Sequence, residues 1–220
     1  MQRKPGGRDM PELSTLGMFV AAAFVLAIIP GPGMFYITGR TLAAGPGDGY
    51  ASVFGTALGG LVHVVAGVVG VSALIMASTT AFMALKLVGG VYLIYLGIQT
   101  WRSAGSTSLA LNGSGKAGVG RAFRDGIVVE ATNPKTAAFF LALIPQFIDP
   151  SQGSIAGQFF VLGAISIALN TLTALAVAAG ASHIRSKLLE KPHVIRRIRQ
   201  GSGAMLASLG LSMLLTRRPA

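Results

Sequence analysis

The sequence predicts an all-α integral membrane protein with six transmembrane helices, arranged as two inverted three-helix repeats in which helices 1 and 4 are broken. Of its 220 residues, 52% are hydrophobic and only 11% are charged, whereas a soluble domain carries about 25% charged residues. Several apolar runs exceed the roughly 18 residues that indicate a membrane-spanning helix. Prolines and ionisable residues interrupt two of these runs, and the interruptions define the broken helices.

The first predicted span, residues 15–37, is interrupted by Pro30-Gly31-Pro32-Gly33. Because proline has no backbone N–H, the two prolines leave the carbonyls of Leu26 and Ile28 without their helical donors. The glycines allow backbone angles that other residues avoid. A broken helix at membrane depth is tolerated only against protein or a wet cavity, so we expect this break to face one of them.

The second predicted span, residues 51–76, follows a stretch at 44–49 that has the composition of a turn. Gly55, Gly59, His63 and Gly67 recur every fourth residue and therefore share one helix face. Small residues on one face let membrane helices approach closely. His63 is either a packing histidine hydrogen-bonded across helices or part of a transport path, since histidine titrates near neutral pH.

The third predicted span, residues 81–101, contains Lys86 in its first two turns. Two interpretations remain open for this lysine. Its aliphatic stem can carry the ammonium out to the lipid headgroups, or the ammonium can belong to the transport path.

The fourth predicted span, residues 123–148, contains Glu130-Ala131-Thr132-Asn133-Pro134-Lys135. Pro134 deprives the carbonyl of Glu130 of its usual helical donor. A carboxylate, an amide and an ammonium within an apolar run indicate a functional site, because polar and ionisable groups at membrane depth are expensive. The sequence is compatible with either a kinked span or a re-entrant hairpin.

The last two predicted spans are residues 155–181 and 198–215. The predicted organisation is a flexible N-terminal extension (1–12), a first repeat (13–101), a Gly/Ser-rich cytoplasmic linker (102–121), a second repeat (122–216) and a C-terminal tail (217–220). The first apolar segment is too long for a cleavable signal peptide and lacks a cleavage site. Met10 is an alternative to Met1 as the start of translation.

The distribution of Lys and Arg predicts the orientation. The connections after spans one, three and five carry eleven of them, and the opposite side carries five. The eleven are Arg40, Arg102, Lys116, Arg121, Arg124, Arg185, Lys187, Lys191, Arg196, Arg197 and Arg199. Since the more positive side faces the cytoplasm, both termini are expected on the outer side. Three spans per half then force the two halves into opposite topologies, as in the inverted repeats of many secondary transporters.

The remaining composition limits the chemistry. The net charge of +11 reflects cations between the spans and at the ends, which favours membrane orientation over nucleic-acid binding. Without cysteine there is no thiolate metal site, and seven acidic residues are few for a carboxylate cage. No Walker or zinc-protease motif is present. The sequence therefore predicts neither an enzyme nor a metal site.

Broken helices have a chemistry of their own. Their half-helix N-termini suit a carboxylate, and freed carbonyls suit an ammonium or a proton-carrying group; a zwitterionic amino acid presents both charges. Residues 30–33 and 133–135 are therefore predicted to line a midplane site. Glu130 is the candidate proton carrier or ammonium partner, and Lys135 binds a carboxylate or pairs with Glu130. The alternatives are a structural ion pair between Glu130 and Lys135, and prolines and glycines that only kink the helices.

Several motifs occur in a characteristic order from about Met10 onward. They are Pro30-Gly31-Pro32-Gly33, Arg40, Gly45, Lys86-Leu87-Val88-Gly89-Gly90-Val91-Tyr92-Leu93-Ile94-Tyr95-Leu96-Gly97, Phe123-x-x-Gly126, Asn133-Pro134-Lys135-Thr136, Phe139-Phe140 and Pro145-Gln146-Phe147. Together they resemble the LysE/RhtB family of amino-acid exporters. The resemblance implies a bacterial inner-membrane exporter of amino acids or their derivatives, coupled to proton entry. We therefore expect a transporter that works by alternating access and needs no cofactor.

The chain departs from the family at one position. The family's first motif usually reads Pro-Gly-Pro-Asn, and here its last residue is Gly33. We expect bare backbone or water to replace the asparagine amide, with an effect on substrate preference or rate.

Two other functions fit the sequence less well. A cation or metal exporter on the same scaffold conflicts with the scarcity of carboxylates, and a non-transporting scaffold that binds a lipid or a protein conflicts with the ionisable residues in the spans. The glycine-lined faces allow a homodimer but do not require one.

Overall fold

The computed structural model describes residues 13–71, 79–102 and 118–183, together with isolated helical positions between residues 193 and 215. Within these residues the regular secondary structure is entirely helical. The predicted N-terminal extension with both candidate start methionines, most of the linker, the basic loop after span five, most of span six and the C-terminal tail lie outside the described residues. So does the side chain of Lys86, whose backbone belongs to a helix.

The first predicted span consists of two helices, α1 (Leu13–Ile28) and α2 (Pro32–Ala44), whose axes are bent by 46°. Gly31 precedes α2 in an extended conformation, and Pro32 occupies its first turn. Proline is favoured at that position because its missing N–H would have no helical partner anyway. The predicted break is therefore confirmed.

The corner between the first two spans is tighter than predicted. Helix α3 (Pro46–Ala66) starts directly after Gly45 and continues into a π-helical turn, Gly67–Val71. The expected turn at 44–49 is wrong in extent, because Gly45 alone (φ +100°) reverses the chain and proline starts the next helix. Arg40 lies inside α2 rather than in a loop. Its Nη2 forms a buried ion pair with Asp48 Oδ2 at 2.7 Å, which ties the two helices together.

Helix α4 (Thr79–Arg102) matches the third predicted span. In the second half, α5 (Val119–Ala131) begins within the predicted linker and is followed by α6 (Pro134–Ala138), a π-helical turn (Phe139–Leu143) and a 3-10 turn (Ile144–Phe147). The axes on either side of the break differ by 41°, so the chain keeps its general direction, as in the kinked alternative for span four. A short 3-10 turn (Pro150–Gln152) leads to the 29-residue helix α7 (Ile155–His183).

Two segments of the described chain, Pro46–Gly70 and Ile155–His183, are each long and apolar enough to cross a membrane. Each bent pair qualifies as well when its two helices are taken as one span, so the described residues contain up to four spans by length and composition. Large apolar side chains such as Phe54, Val65 and Leu172 are exposed on the outside, as expected where lipid replaces water. The all-helical membrane class is thus confirmed, and the six-span inverted repeat stays a prediction.

Helices α3 and α5 cross at close range because both present glycine. A Cβ on Gly55 would overlap the Phe123 carbonyl, and one on Gly59 would overlap the Ile127 carbonyl. From the other side, a Cβ on Gly126 would lie 2.8 Å from the Ser52 carbonyl oxygen. The predicted glycine face of the second span is confirmed, and it brings the end of α5 against α3.

Two apolar clusters flank the two breaks. The larger cluster includes Phe19 of α1, Phe139 and Phe140 after α6, and Phe159 of α7. Successive rings of this cluster pack edge to face or tilted, with centroids 5.7 to 6.2 Å apart. The pairs are Phe19 with Phe139, Phe139 with Phe140, and Phe140 with Phe159. The smaller cluster contains Ile37 of α2 together with residues of α3 and α7. The breaks therefore lie between two well-packed apolar regions.

The close crossing of α3 and α5 predicts that alanine substitution has opposite effects on the Tm at two glycines of α5. Gly126→Ala should lower the Tm in detergent micelles, because forcing a methyl group against backbone costs about 1–3 kcal/mol. Gly120→Ala is the matched control, since nothing lies within 4 Å of a Cβ at that position and alanine favours the helix. Equal Tm values for the two variants would contradict the packing described here.

Candidate functional site

The ammonium of Lys135 connects the two broken helices. Its Nζ donates hydrogen bonds to the carbonyl oxygens of Ile29 at 2.8 Å and Leu26 at 3.2 Å, at the C-terminal end of α1. The carbonyl of Leu26 is one of the two that the prolines were predicted to free. A cation at a helix C-terminus is also favoured by the helix dipole. Lys135, which is buried, thus satisfies the broken end of α1.

The carboxylate of Glu130 lies on the other side of the first break. Its Oε2 accepts a hydrogen bond from Asn133 Nδ2 at 2.9 Å, and its Oε1 accepts one from Thr136 Oγ1 at 2.6 Å. A Cβ on Gly33 would overlap Glu130 Oε2, so the carboxylate fills the space in which any other residue at position 33 would hold its side chain. The expectation of bare backbone or water beside Gly33 is therefore wrong.

Asn133 sets the geometry of the second break. Its Oδ1 accepts the backbone N–H of Lys135 at 3.0 Å, which caps α6, and this contact orients the amide so that Nδ2 faces Glu130. Proline at the next position disfavours helical angles for Asn133, and the residue is accordingly extended. One side chain therefore starts α6 and holds the carboxylate.

His63 supplies the donor that Pro134 cannot. Its Nε2 lies 2.8 Å from the carbonyl oxygen of Glu130, and because a carbonyl only accepts, the proton is on Nε2. The imidazole also packs on Phe140, with ring centroids 5.7 Å apart. Both contacts agree with the interpretation of His63 as a packing histidine that is hydrogen-bonded across helices. The carbonyl that it contacts belongs to Glu130, so the histidine lies beside the second break.

The structure brings Gly31, Gly33, Glu130, Asn133 and Lys135 together, and His63 contacts the carbonyl of Glu130. Pro30, Pro32 and Pro134 lie in the two breaks themselves. Gly31 is as tightly placed as Gly33, since a Cβ there would lie 3.0 Å from the Cδ and Cε of Lys135. One predicted alternative is not formed. No ion pair within 4.0 Å joins Glu130 to Lys135; the described chain has ion pairs at Arg40–Asp48 and, exposed on α5, at Arg121–Asp125.

Two small cavities meet at the site. One, of about 30 Å³, lies among residues of α1 and the segment after α6; the other, of about 10 Å³, lies among residues of α2. Thr56, Glu130, Lys135 and Asn170 line both, and we call these four residues the polar layer. An apolar cavity that admits benzene measures about 150 Å³. Both cavities are therefore of water size in this conformation, and the polar layer separates them.

Three residues of the site were not singled out from the sequence. Thr136 was part of a motif, but its bond to Glu130 needs the turn that Asn133 creates. Asn170 is an amide in the middle of a 29-residue apolar helix, and this was a usable signal. Thr56 carries no such signal, because threonine is common in membrane helices.

Among the described residues no group of three or more His, Asp or Glu side chains is arranged to hold a metal ion.

The contact between Gly33 and Glu130 leads to a prediction for α2. Gly33→Ala should lower the Tm by several degrees, because the methyl group displaces the carboxylate from its two donors and a hydrogen bond to a charged group contributes about 1.5–3 kcal/mol. Gly39→Ala on the same helix is the control, since a Cβ there meets nothing within 4 Å. Unfolding in micelles would be followed for both, and a Gly33→Ala protein as stable as the wild type would contradict the assignment.

Comparison with known proteins identifies the family. The family described as LysE type translocator matches residues 24–217. A homoserine/homoserine lactone efflux protein of Salmonella typhi is 31% identical over 199 residues, which cover 90% of this chain and 95% of that protein. A leucine efflux protein of Enterobacter sp. is 26% identical over 144 residues, covering 66% of this chain and 68% of that protein.

An uncharacterized membrane protein of Vibrio cholerae is 29% identical over 90% of this chain and 94% of its own length. No solved structure matches the chain. The family match covers most of the sequence, including both breaks and the polar layer. The chain therefore belongs to the LysE-type translocator family and, as the sequence predicted, is a membrane transporter and not an enzyme.

Proposed function

We propose that this protein exports an amino acid or an amino-acid derivative across the bacterial inner membrane, in exchange for protons, with binding at the polar layer. The observation that carries the proposal is the pair of opposite charges, Glu130 and Lys135, held at two meeting helix breaks between two cavities. The names of the two efflux relatives make homoserine, homoserine lactone and leucine the first substrates to test.

The two charges complement a zwitterion. Glu130 offers a carboxylate to the substrate ammonium. Lys135 uses two of its three N–H groups on the carbonyls of α1, which leaves the third for the substrate carboxylate. Because each charge is held by neutral groups instead of by the other charge, neither must break an ion pair to bind.

The hydrogen bonds of Glu130 suit a proton carrier. Asn133 Nδ2 can only donate, so a proton on the carboxyl group has to sit on Oε1. There the Thr136 hydroxyl can change from donor to acceptor, and its contact with Glu130 is kept in both states. In this mechanism a proton enters from the outer side, and the substrate leaves for the same side.

The cavities support alternating access. A substrate of amino-acid size does not fit either cavity, so binding requires the polar layer to open toward one side at a time. The two breaks are the natural hinges, since the chain there lacks continuous helical hydrogen bonds. The positive-inside distribution supports an orientation with both termini outside, and the order of broken and long helices in each half supports the inverted repeat.

Transport itself is tested by counterflow. Purified protein in proteoliposomes would be loaded with a mixed amino-acid pool, and exchange would be read by mass spectrometry. Asn133→Ala should abolish exchange with insertion intact, because α6 loses its cap and Glu130 loses a donor. Exchange of no amino acid by inserted wild-type protein would refute the proposal and favour cations or the scaffold function. Normal exchange by Asn133→Ala would refute this site.

Proton coupling is tested at Glu130. For one proton per substrate, a gradient of one pH unit, acidic outside, sustains about a tenfold substrate gradient. Glu130→Gln should show no response to the gradient. Any exchange that remains should need more substrate, because the glutamine amide oxygen can accept from the substrate ammonium but carries no charge. Asp125→Asn is the matched control on the same helix, since Asp125 is in an exposed pair with Arg121. A gradient response retained by Glu130→Gln would exclude Glu130 as the proton carrier.

A further inference from the structure

Asn170 lies in the middle of helix α7. The helix has 29 residues, so this residue is roughly 20 Å from either end at a rise of 1.5 Å per residue. The helix is one of the two described segments that qualify alone as a membrane span. An amide at this position lies near the membrane midplane, where an unpaired polar group is most costly.

The amide of Asn170 has no hydrogen-bond partner among the described residues, in contrast to Ser166 and Thr173 on the same helix. Ser166 Oγ donates to the carbonyl of Leu162 at 2.8 Å, and Thr173 Oγ1 donates to the carbonyl of Leu169 at 2.9 Å. Both hydroxyl groups are thus satisfied within their own helix. Asn170 keeps two donors and one acceptor group for something that is not part of the helix.

The position of Asn170 indicates where that partner binds. Ser166, Asn170 and Ala174 follow one another at four-residue intervals and share a face of α7. Ser166 lines the first cavity, Ala174 lines the second, and Asn170 lines both. The free amide therefore borders the space on each side of the polar layer, together with Glu130 and Lys135.

We propose that Asn170 is the specificity-determining residue of the transporter, and that its amide binds an uncharged hydrogen-bonding group, a hydroxyl or a carbonyl, on the side chain of the substrate. The inference rests on the proposed function. Within the polar layer, Glu130 and Lys135 supply the charges for the substrate's ammonium and carboxylate. Asn170 is neutral and can both donate and accept, so it matches the remaining, variable part of the substrate.

Three amino acids that differ in one terminal group provide the test. Homoserine ends in a hydroxyl, norvaline in a methyl group and 2,4-diaminobutyrate in an ammonium, on side chains of the same length. Counterflow of each would be measured in proteoliposomes with the wild type, Asn170→Leu and Asn170→Asp. Thr173→Val is the matched control, because Thr173 is on the same helix and lines neither cavity.

The wild type should prefer homoserine over norvaline by about tenfold, because norvaline leaves the amide unpaired. Asn170→Leu should bring that ratio to about one or reverse it, and Asn170→Asp should shift preference toward 2,4-diaminobutyrate. The Asn170 variants should change KM and the outcome of competition between substrates, and not the maximal rate. Thr173→Val should keep the wild-type ratio.

The outcomes separate the two proposals. A wild type that moves no amino acid refutes the exporter function. A wild type that moves amino acids but does not distinguish homoserine from norvaline refutes the role of Asn170, as does an unchanged ratio in Asn170→Leu. If a variant inserts but transports nothing, stabilisation of its Tm by each of the three ligands gives the same comparison. Equal rank orders of stabilisation in the wild type and both variants would then overturn the inference.

Discussion

The contact between the Lys135 ammonium and the end of α1 is the interaction on which the rest of the site depends. Pro30 and Pro32 end α1 inside an apolar environment and cannot donate to the carbonyls of Leu26 and Ile28. The carbonyl of Leu26 still accepts the N–H of Ile29 at 3.2 Å, and Lys135 adds a charged donor. Lys135 is buried as well, and an uncompensated buried charge costs several kcal/mol. Each defect is satisfied by the other, so the two broken helices are held together at their breaks. Separating the two helices would remove the Lys135 donor from the end of α1 and leave the buried ammonium uncompensated.

This contact explains why glycine occurs where it does. The stem of Lys135 reaches α1 past Gly31, and the carboxylate of Glu130 lies against Gly33. A side chain at either position would occupy the path of a charged group from the other broken helix. On the opposite side, Gly55 and Gly59 let α3 approach α5 until His63 meets the carbonyl that Pro134 frees. Glycines therefore set the distance between helices, and the ionisable residues complete the hydrogen bonds across it.

The sequence was sufficient for the two helix breaks and for the glycine face of the second span. Proline and glycine have local effects on the backbone, so the breaks at Pro30 and Pro134 and the close-packing face of Gly55 and Gly59 could be predicted. The corner at Gly45 was predicted less well, because Pro46 and Asp48 are turn residues by composition but also suit the first turn of a helix. Which of the two applies is decided by Arg40, whose pairing with Asp48 requires the folded corner.

The partners inside the site could not be predicted for a related reason. Glu130 and Lys135 are five residues apart and of opposite charge, which favours an ion pair when only the sequence is known. The pair is absent because the helix ends between them: Asn133 turns the chain, so Lys135 is directed to α1 and Glu130 to Gly33. Likewise, the sequence does not show that Asn170 lines both cavities, because this depends on how α7 packs against the other helices. Long-range packing, which a single sequence does not reveal, decides these contacts.

The separation of the two charges is consistent with the proposed role of the polar layer in transport. A direct ion pair in a low-dielectric environment would be difficult to open, since breaking it leaves two buried charges. Here each charge is held by neutral dipoles: carbonyls for Lys135, and an amide and a hydroxyl for Glu130. Such contacts can be exchanged one at a time, and the remaining partners continue to shield the charge. In the proposed mechanism, a substrate that brings both an ammonium and a carboxylate adds to the polar layer without either charge losing all its partners, so binding and release need not expose a bare charge.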